Sequence, residues 1–319
     1  MSQSAAAVAF LPVIIPAEIT SKAHKTGLVF DSRYILYSPG EWHPESPERL
    51  IAIKQRFNKD EIFPKIHLIP VNGNPKKYIS AVHPQEHITA IKNYDRDLHV
   101  HELAVAGVLR AVDAVCKGTV NNAFCAIRPP GHHAGNNGFA GFCFYNNVAI
   151  AARYAQMKHN LQKVLIVDWD YHHGNGTEWA FYSDPTVLFF STHALYAYPR
   201  TGQPEKTGQG AGKGFNINVP LPPGADDKRI ITAFEEKLLP AAEQFQPDII
   251  FISAGFDSRI DDDLGDFAVT DEGFVELTKM VMGIAAKYSG SRIVSVLEGG
   301  YNPEGLASAV EEHVKTLIG

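Results

Sequence analysis

Lys163-Val-Leu-Ile-Val-Asp-Trp-Asp-Tyr-His-His-Gly-Asn-Gly176 decides the fold. Its first part, Val164 to Val167, is an unbroken apolar run with no polar alternation. A strand buried on both faces reads this way, which points to a parallel sheet covered by helices. The second part changes at once to Asp, His and Gly. The same change follows the run Ile249, Ile250, Phe251 and Ile252, which leads into Ser253-Ala-Gly-Phe-Asp257. Working outward, candidate strands fall at 27–30, 122–127, 163–167, 186–191, 215–219, 248–253 and 292–297. Candidate helices fall at 47–57, 100–117, 145–158, 228–245, 271–288 and 305–318. In the fourth helix Ile230, Ile231, Phe234, Leu238 and Ala241 recur at helical spacing. Thr270 can cap the fifth, with Asp271 and Glu272 favoured by the dipole of its first turn. The alternation predicts an α/β fold: a single domain with a mainly parallel β-sheet flanked by helices on both faces. Such sheets bind ligands beyond the carboxyl ends of their strands, so the residues after each strand carry the functional reading.

Composition narrows the class. The chain has 319 residues, 45% hydrophobic and 20% charged, which excludes a disordered protein, a collagen and a coiled coil. A formal net charge of −6 with no basic tract of five or more argues against nucleic acid as the main partner. Cys116, Cys125 and Cys143 form no C-x-x-C, so neither a disulfide scaffold nor a cysteine-based zinc module is expected, and a reducing cytoplasm suits them. No apolar run approaches the ~18 residues of a membrane helix. Residues 5–15 are apolar, but Pro12 interrupts them and they lack the basic start of a signal peptide. Residues 1–24 are therefore expected to form an arm packed on the body or on another subunit, which leaves a homo-oligomer open.

Four strand ends carry chemistry. Ile127 leads into Arg128-Pro-Pro-Gly-His-His-Ala134, and Leu297 into Glu298-Gly-Gly-Tyr301. Alternate residues at a strand end point the same way, so Asp168, Asp170 and His172 share a side. Asp170 and His172 can converge on one cation, and Asp257 from another strand end makes a third protein ligand. Three ligands and one open position suit catalytic zinc. Taken singly, Asp170 and His172 also read as a hydrogen-bonded pair, and Asp257 as a cap or loop carboxylate; neither explains their joint occurrence. His173 reads as structural, because it points away from its neighbour. His132 and His133 suit acid–base work beside a metal, with Asp168 and Asn175 the nearest acceptors for their rings. The glycines before Tyr301 let backbone approach a ligand, and its phenol suits donation to a carbonyl oxygen that gains charge.

As a set these residues resemble the histone deacetylase family, its bacterial and eukaryotic class II branch most closely. The resemblance rests also on His43-Pro-Glu-Ser-Pro-Glu-Arg-Leu50 and Gly141-Phe-Cys-Phe-Tyr-Asn-Asn147, and it runs from about residue 25 to the C-terminus. The family includes acetylpolyamine amidohydrolases and shares its fold with arginases. The resemblance implies a deacetylase catalytic domain over residues 25–319. The expected activity is zinc-dependent hydrolysis of acetyl-lysine in proteins or peptides, with an acetylpolyamine or other small acyl amine as the alternative substrate. It matches Asp170, His172 and Asp257 to the zinc ligands and His133 to the general base. His132 matches that base's charge-tuning partner, Tyr301 the residue that polarises the carbonyl, and Asp168 the acceptor behind His132. Gly141, Phe142 and Tyr198 match the acyl-lysine tunnel, Arg49 an arginine behind the glycine run, and Asp168, Asp170, His172 and Ser191 a potassium site. Asn175 stands where class I members carry Asp, which is common in class II and leaves His133 less basic. Leu264 stands where the polyamine-preferring branch has a glutamate, although Asp261, Asp262 and Asp263 can supply charge at the mouth. An arginase-like second metal is disfavoured, because Gly174 and Arg259 stand where bridging carboxylates are needed. A non-catalytic acetyl-lysine or protein-binding module is the rival from a different class.

Overall fold

The computed structural model describes residues 26–94, 98–135 and 138–319, so the expected arm at 1–24 lies outside the described residues. In chain order the elements begin with β1 (Thr26–Val29), α1 (Glu48–Lys59), β2 (His67–Leu68), α2 (Lys76–Ile79), α3 (Gln85–Tyr94) and α4 (Leu98–Cys116). There follow β3 (Asn122–Cys125), α5 (Asn147–His159), β4 (Val164–Asp168), α6 (Asn175–Phe181), β5 (Val187–Ala194) and β6 (Asn216–Leu221). The chain ends with α7 (Asp227–Ala233), α8 (Leu239–Phe245), β7 (Ile249–Ala254), α9 (Asp271–Tyr288), β8 (Ile293–Leu297) and α10 (Pro303–Ile318).

The eight strands form one sheet in the order β2-β1-β3-β8-β7-β4-β5-β6. Every pairing is parallel. Every residue of β4, β7 and β8 is buried, as an unbroken apolar run requires when helices cover both faces. Register follows from that burial: Val164 pairs with Val187 on one side and with Ile249 on the other, so equivalent core layers align across three strands.

Local signals set the helix starts. Thr270 accepts a hydrogen bond from the Gly273 N–H at 3.1 Å and caps α9 as expected. Asn146 caps α5 through the Ala149 N–H at 2.9 Å. The helix expected over 228–245 is a helical run divided into α7, a π turn over Phe234–Leu238, and α8. Pro240 opens α8; it has no N–H to donate back into the preceding turn, and the wider turn precedes it.

Sequence reading misses β2, α2, α3 and α6. Two residues carry no strand period, and α6 begins inside a Gly- and His-rich run that reads as a loop.

Candidate active site

β3, β8, β7 and β4 are consecutive neighbours in the centre of the sheet. Beyond their carboxyl ends stand, in the same order, His132 with His133, Glu298 to Tyr301, Asp257, and Asp168 to His172. One donor atom each from Asp170, His172 and Asp257 lies within 4.8 Å of the others. Nδ1 of His172 is 2.9 Å from Oδ2 of Asp257 and 3.3 Å from Oδ1 of Asp170.

The carboxylates also shape the chain that carries them. Asp168 accepts from the Asp170 N–H at 3.1 Å, and Asp170 from the His172 N–H at 2.8 Å, two successive side-chain turns that bend the chain just past the strand end. Asp257 accepts from the Tyr171 N–H at 2.9 Å, and Asp170 from the Gly299 N–H at 2.8 Å, so the strand ends are laced together. A Cβ at Gly299 would collide with both carboxylates, which is why the backbone there needs glycine.

This pocket favours positive charge. Burial and the neighbouring Asp170 push Asp257 up to about 7. Burial opposes the charge of Asp170, yet His132 and His172 hold it below the usual carboxylate range. Burial opposes the charge of His172 too, but its bonds to Asp170 and Asp257 raise it to about 10. A proton on that nitrogen is the smallest cation the three residues can share. Two carboxylates and an imidazole equally fit a divalent ion such as zinc or ferrous iron.

The two histidines lie side by side with ring centres 4.0 Å apart. Nδ1 of His132 is 3.0 Å from Asp168, and Nδ1 of His133 is 2.8 Å from the Asn175 amide oxygen. Burial works against charge on both. Asp170 and Asp168 outweigh it at His132, whose basicity rises well above the ordinary range. At His133 the His132 charge adds to burial, and its basicity falls well below. Two adjacent imidazoles are thereby split into one that keeps its proton and one that is free of it. Glu298 fixes the approach to the pair, accepting from the Gly131 N–H at 2.6 Å and the His132 N–H at 3.1 Å.

Tyr301 is buried, with its ring edge-on to Phe142 at 5.9 Å. Burial, then the Asp257 charge, pushes its phenol well above the usual range and keeps it a donor. Arg49 donates to the carbonyls of Glu298 and Gly300 at 2.5 and 2.6 Å and lies 5.1 Å from the Tyr301 ring. The Tyr198 ring is half-exposed, 5.0 Å from His133, and Gly141 sits where a Cβ would strike the His133 ring. Leu264 is exposed. Ser191 pairs in register with Asp168, and its hydroxyl lies 2.9 Å from His193. His173 stands apart from the three clustered donors, with Nδ1 2.8 Å from the Thr201 hydroxyl.

One expectation needs correcting. Of the three mouth aspartates, only Asp261 and Asp263 are exposed; Asp262 spends its carboxylate on four backbone N–H groups. Sequence reading also assigns no role to Glu45 or Arg128, which are fully buried together. Arg128 grips Glu45 at 2.6 and 2.7 Å, and Arg49 joins at 3.2 Å. Their one signal is a charged residue between prolines or directly after an apolar strand.

Known proteins resemble this chain along most of its length. The chain is 37% identical over 296 residues to a probable deacetylase of Archaeoglobus fulgidus, covering 88% of this chain and 82% of that one. It is 35% identical over 312 residues to the polyamine deacetylase HDAC10 of Homo sapiens, covering 89% of this chain but only 46% of HDAC10. The crystal structure of the HDA15 HD domain superposes with a TM-score of 0.87 at 35% identity, covering 93% of this chain and 88% of that one. The histone deacetylase domain matches residues 95–317, which hold His132, His133, Asp170, His172, Asp257 and Tyr301 alike. On the strength of that match and of relatives aligned along most of its length, the chain belongs to the histone deacetylase family.

Proposed function

We propose that the chain is a zinc-dependent deacetylase that hydrolyses the acetamide of acetyl-lysine in peptides or proteins. The observation that carries this reading is the meeting of three cation-favouring donors, a split histidine pair and a buried phenol at adjacent strand ends. Asp170, His172 and Asp257 would hold the metal. A divalent ion there supplies Lewis-acid polarisation of a carbonyl and lowers the pKa of water toward about 7.

The protein's own groups do the rest. An amide oxygen only accepts, so Asn175 keeps the hydrogen of His133 on Nδ1 and leaves Nε2 as the basic nitrogen. His133 takes a proton from the attacking water as its oxygen bonds to the acyl carbon. Tyr301 donates to the carbonyl oxygen as charge builds on it. As the carbon–nitrogen bond breaks, an imidazolium returns a proton to the departing amine, and acetate and a free amine result. Asp168 holds His132 in place and in charge throughout. Phe142 and Tyr198 would flank the apolar stem of the substrate, for which Leu264 offers an apolar rim. Asp168, Asp170, His172 and Ser191, of which Asp168 and Ser191 pair at the ends of β4 and β5, would hold a structural potassium ion.

A second substrate reading has an observation of its own. Asp261, Asp263 and Asp266 are exposed around Leu264 and suit a cationic chain, in keeping with the similarity to a polyamine deacetylase. Acetate release from an acetyl-lysine peptide, acetylputrescine and acetylspermidine tests both. The expected result is chelator-sensitive turnover, restored by zinc, with the peptide preferred. Preference for acetylated polyamines would transfer the conclusion to the second substrate. No release from any of them would leave a non-catalytic binding module.

A further inference from the structure

In the loop after Asp257, the Asp262 carboxylate turns both of its oxygens toward backbone N–H groups. Oδ1 of Asp262 accepts from the N–H groups of Leu264 and Gly265, at 2.9 and 3.2 Å. Its Oδ2 accepts from those of Tyr301 and Asn302, at 2.7 and 3.3 Å. A second tie lies alongside. Asp261 adopts a left-handed backbone with φ 65°, which Asp tolerates, and its carbonyl accepts from the Asn302 side-chain amide at 2.9 Å. The other side-chain atom of Asn302 caps α10 through the Gly305 N–H at 3.1 Å. The rim residue Leu264, the backbone of Tyr301 and the first turn of α10 thus form one hydrogen-bonded unit.

Tyr301 needs such a unit. Gly299 and Gly300 precede it, Gly300 with φ 117°, and this permissive backbone does not itself aim a side chain. Arg49 fixes the carbonyl side of the run, at Glu298 and Gly300. Asp262 fixes the N–H side, at Tyr301 itself. Only an ionised carboxylate accepts on two oxygens with no donor of its own, so no amide can replace it in kind.

We propose that Asp262 is a positioning residue that aims the Tyr301 phenol and couples it to the Leu264 loop at the substrate mouth. The proposal rests on the deacetylase reading, in which Tyr301 acts on the substrate carbonyl. Asp262 itself touches neither substrate nor metal; it sets where the phenol stands when the substrate arrives.

A double-mutant cycle on the zinc-loaded protein tests this. Asp262→Asn keeps the shape but turns a donor toward two donors. Misplacement of a reacting group by about an ångström can cost ~100-fold, so kcat for an acetyl-lysine peptide should fall at least ~tenfold, with KM within about twofold and zinc content unchanged. In the Tyr301→Phe background, where the hydroxyl is gone, Asp262→Asn should change the residual kcat by less than about twofold. Equal losses in the two backgrounds, or no loss in the first, would overturn the proposal. Should Asp262→Asn unfold at the assay temperature, Asn302→Ser decides, since serine keeps the helix cap and drops only the tie to Asp261. It should lower kcat at least about threefold with Tyr301 present and not with Phe there. A loss common to both backgrounds, or none in either, would overturn the coupling. Failure of the unmutated protein to release acetate ends the deacetylase reading itself, and is seen before any variant is made.

Discussion

Nδ1 of His172 lies against two buried carboxylates at once, an arrangement that suits a shared cation. A pair of acids in apolar surroundings cannot both stay ionised without a counter-charge, which is why Asp257 is pushed up to about 7. Asp257→Ala removes one of three donors and should cut bound zinc from one ion per chain to less than about half, read by elemental analysis after dialysis against micromolar zinc. Full occupancy would take Asp257 out of the ligand set. At the rim, Leu264→Glu adds a charge to the exposed group of Asp261, Asp263 and Asp266. The ratio of kcat/KM for acetylspermidine over acetyl-lysine peptide should rise at least ~tenfold, the size of a close charge contact at a partly exposed site. An unchanged ratio would mean that the rim does not select.

At the scale of elements, the histidine-bearing end of β3 is held by buried charge in addition to the apolar packing of Ala126 and Ile127. Glu45, in the segment before α1, pairs with both Arg128 just after β3 and Arg49 within α1, and backbone carbonyls take up the remaining guanidinium donors, with all three side chains out of water. A buried pair adds little against an apolar replacement, but breaking one leaves a bare charge inside. Glu45→Gln leaves two arginines against a neutral amide and should destabilise the fold by ~3–5 kcal/mol in urea unfolding. A change below ~1 kcal/mol would mean that water reaches the cluster. Arg49 also grips the carbonyls before Tyr301, so the same variant should lower kcat where it still folds.

Across the whole molecule, several histidines outside the candidate ligand set are buried in neutral form. His313, on α10, lies between the hydroxyls of Thr278 and Ser295 at 2.7 and 2.9 Å, and burial lowers it to about 3. His83 is also lowered to about 3 by burial. In the unfolded chain these groups take up protons below about 6.5, while in the fold they resist until about 3. Stability is therefore lost as pH falls through that window and is unaffected above it. Each such histidine contributes a slope of about 1.4 kcal/mol per pH unit. His313→Gln should flatten the dependence of unfolding free energy between pH 5.5 and 4 by about that amount; an unchanged slope would mean that His313 is already protonated in the fold.

The sequence by itself determined seven of the eight strands, where short apolar runs such as 164–167 or 249–252 are bounded by turn residues, and left out the two-residue β2. It also determined which residue types stand at each strand end, and, through strand alternation, that Asp168, Asp170 and His172 share a side. The element edges moved by a few residues, and α6 stayed hidden, because glycine and histidine carry no helical period. Only the tertiary structure decided that β8 inserts between β3 and β7, which sets Tyr301 beside a histidine pair far from it in the chain. It alone turned Asp262 inward while Asp261 and Asp263 face water, and set Glu45 between two arginines. The reason is common to both: a charged side chain's partner is chosen by long-range packing, which leaves no local trace in the chain.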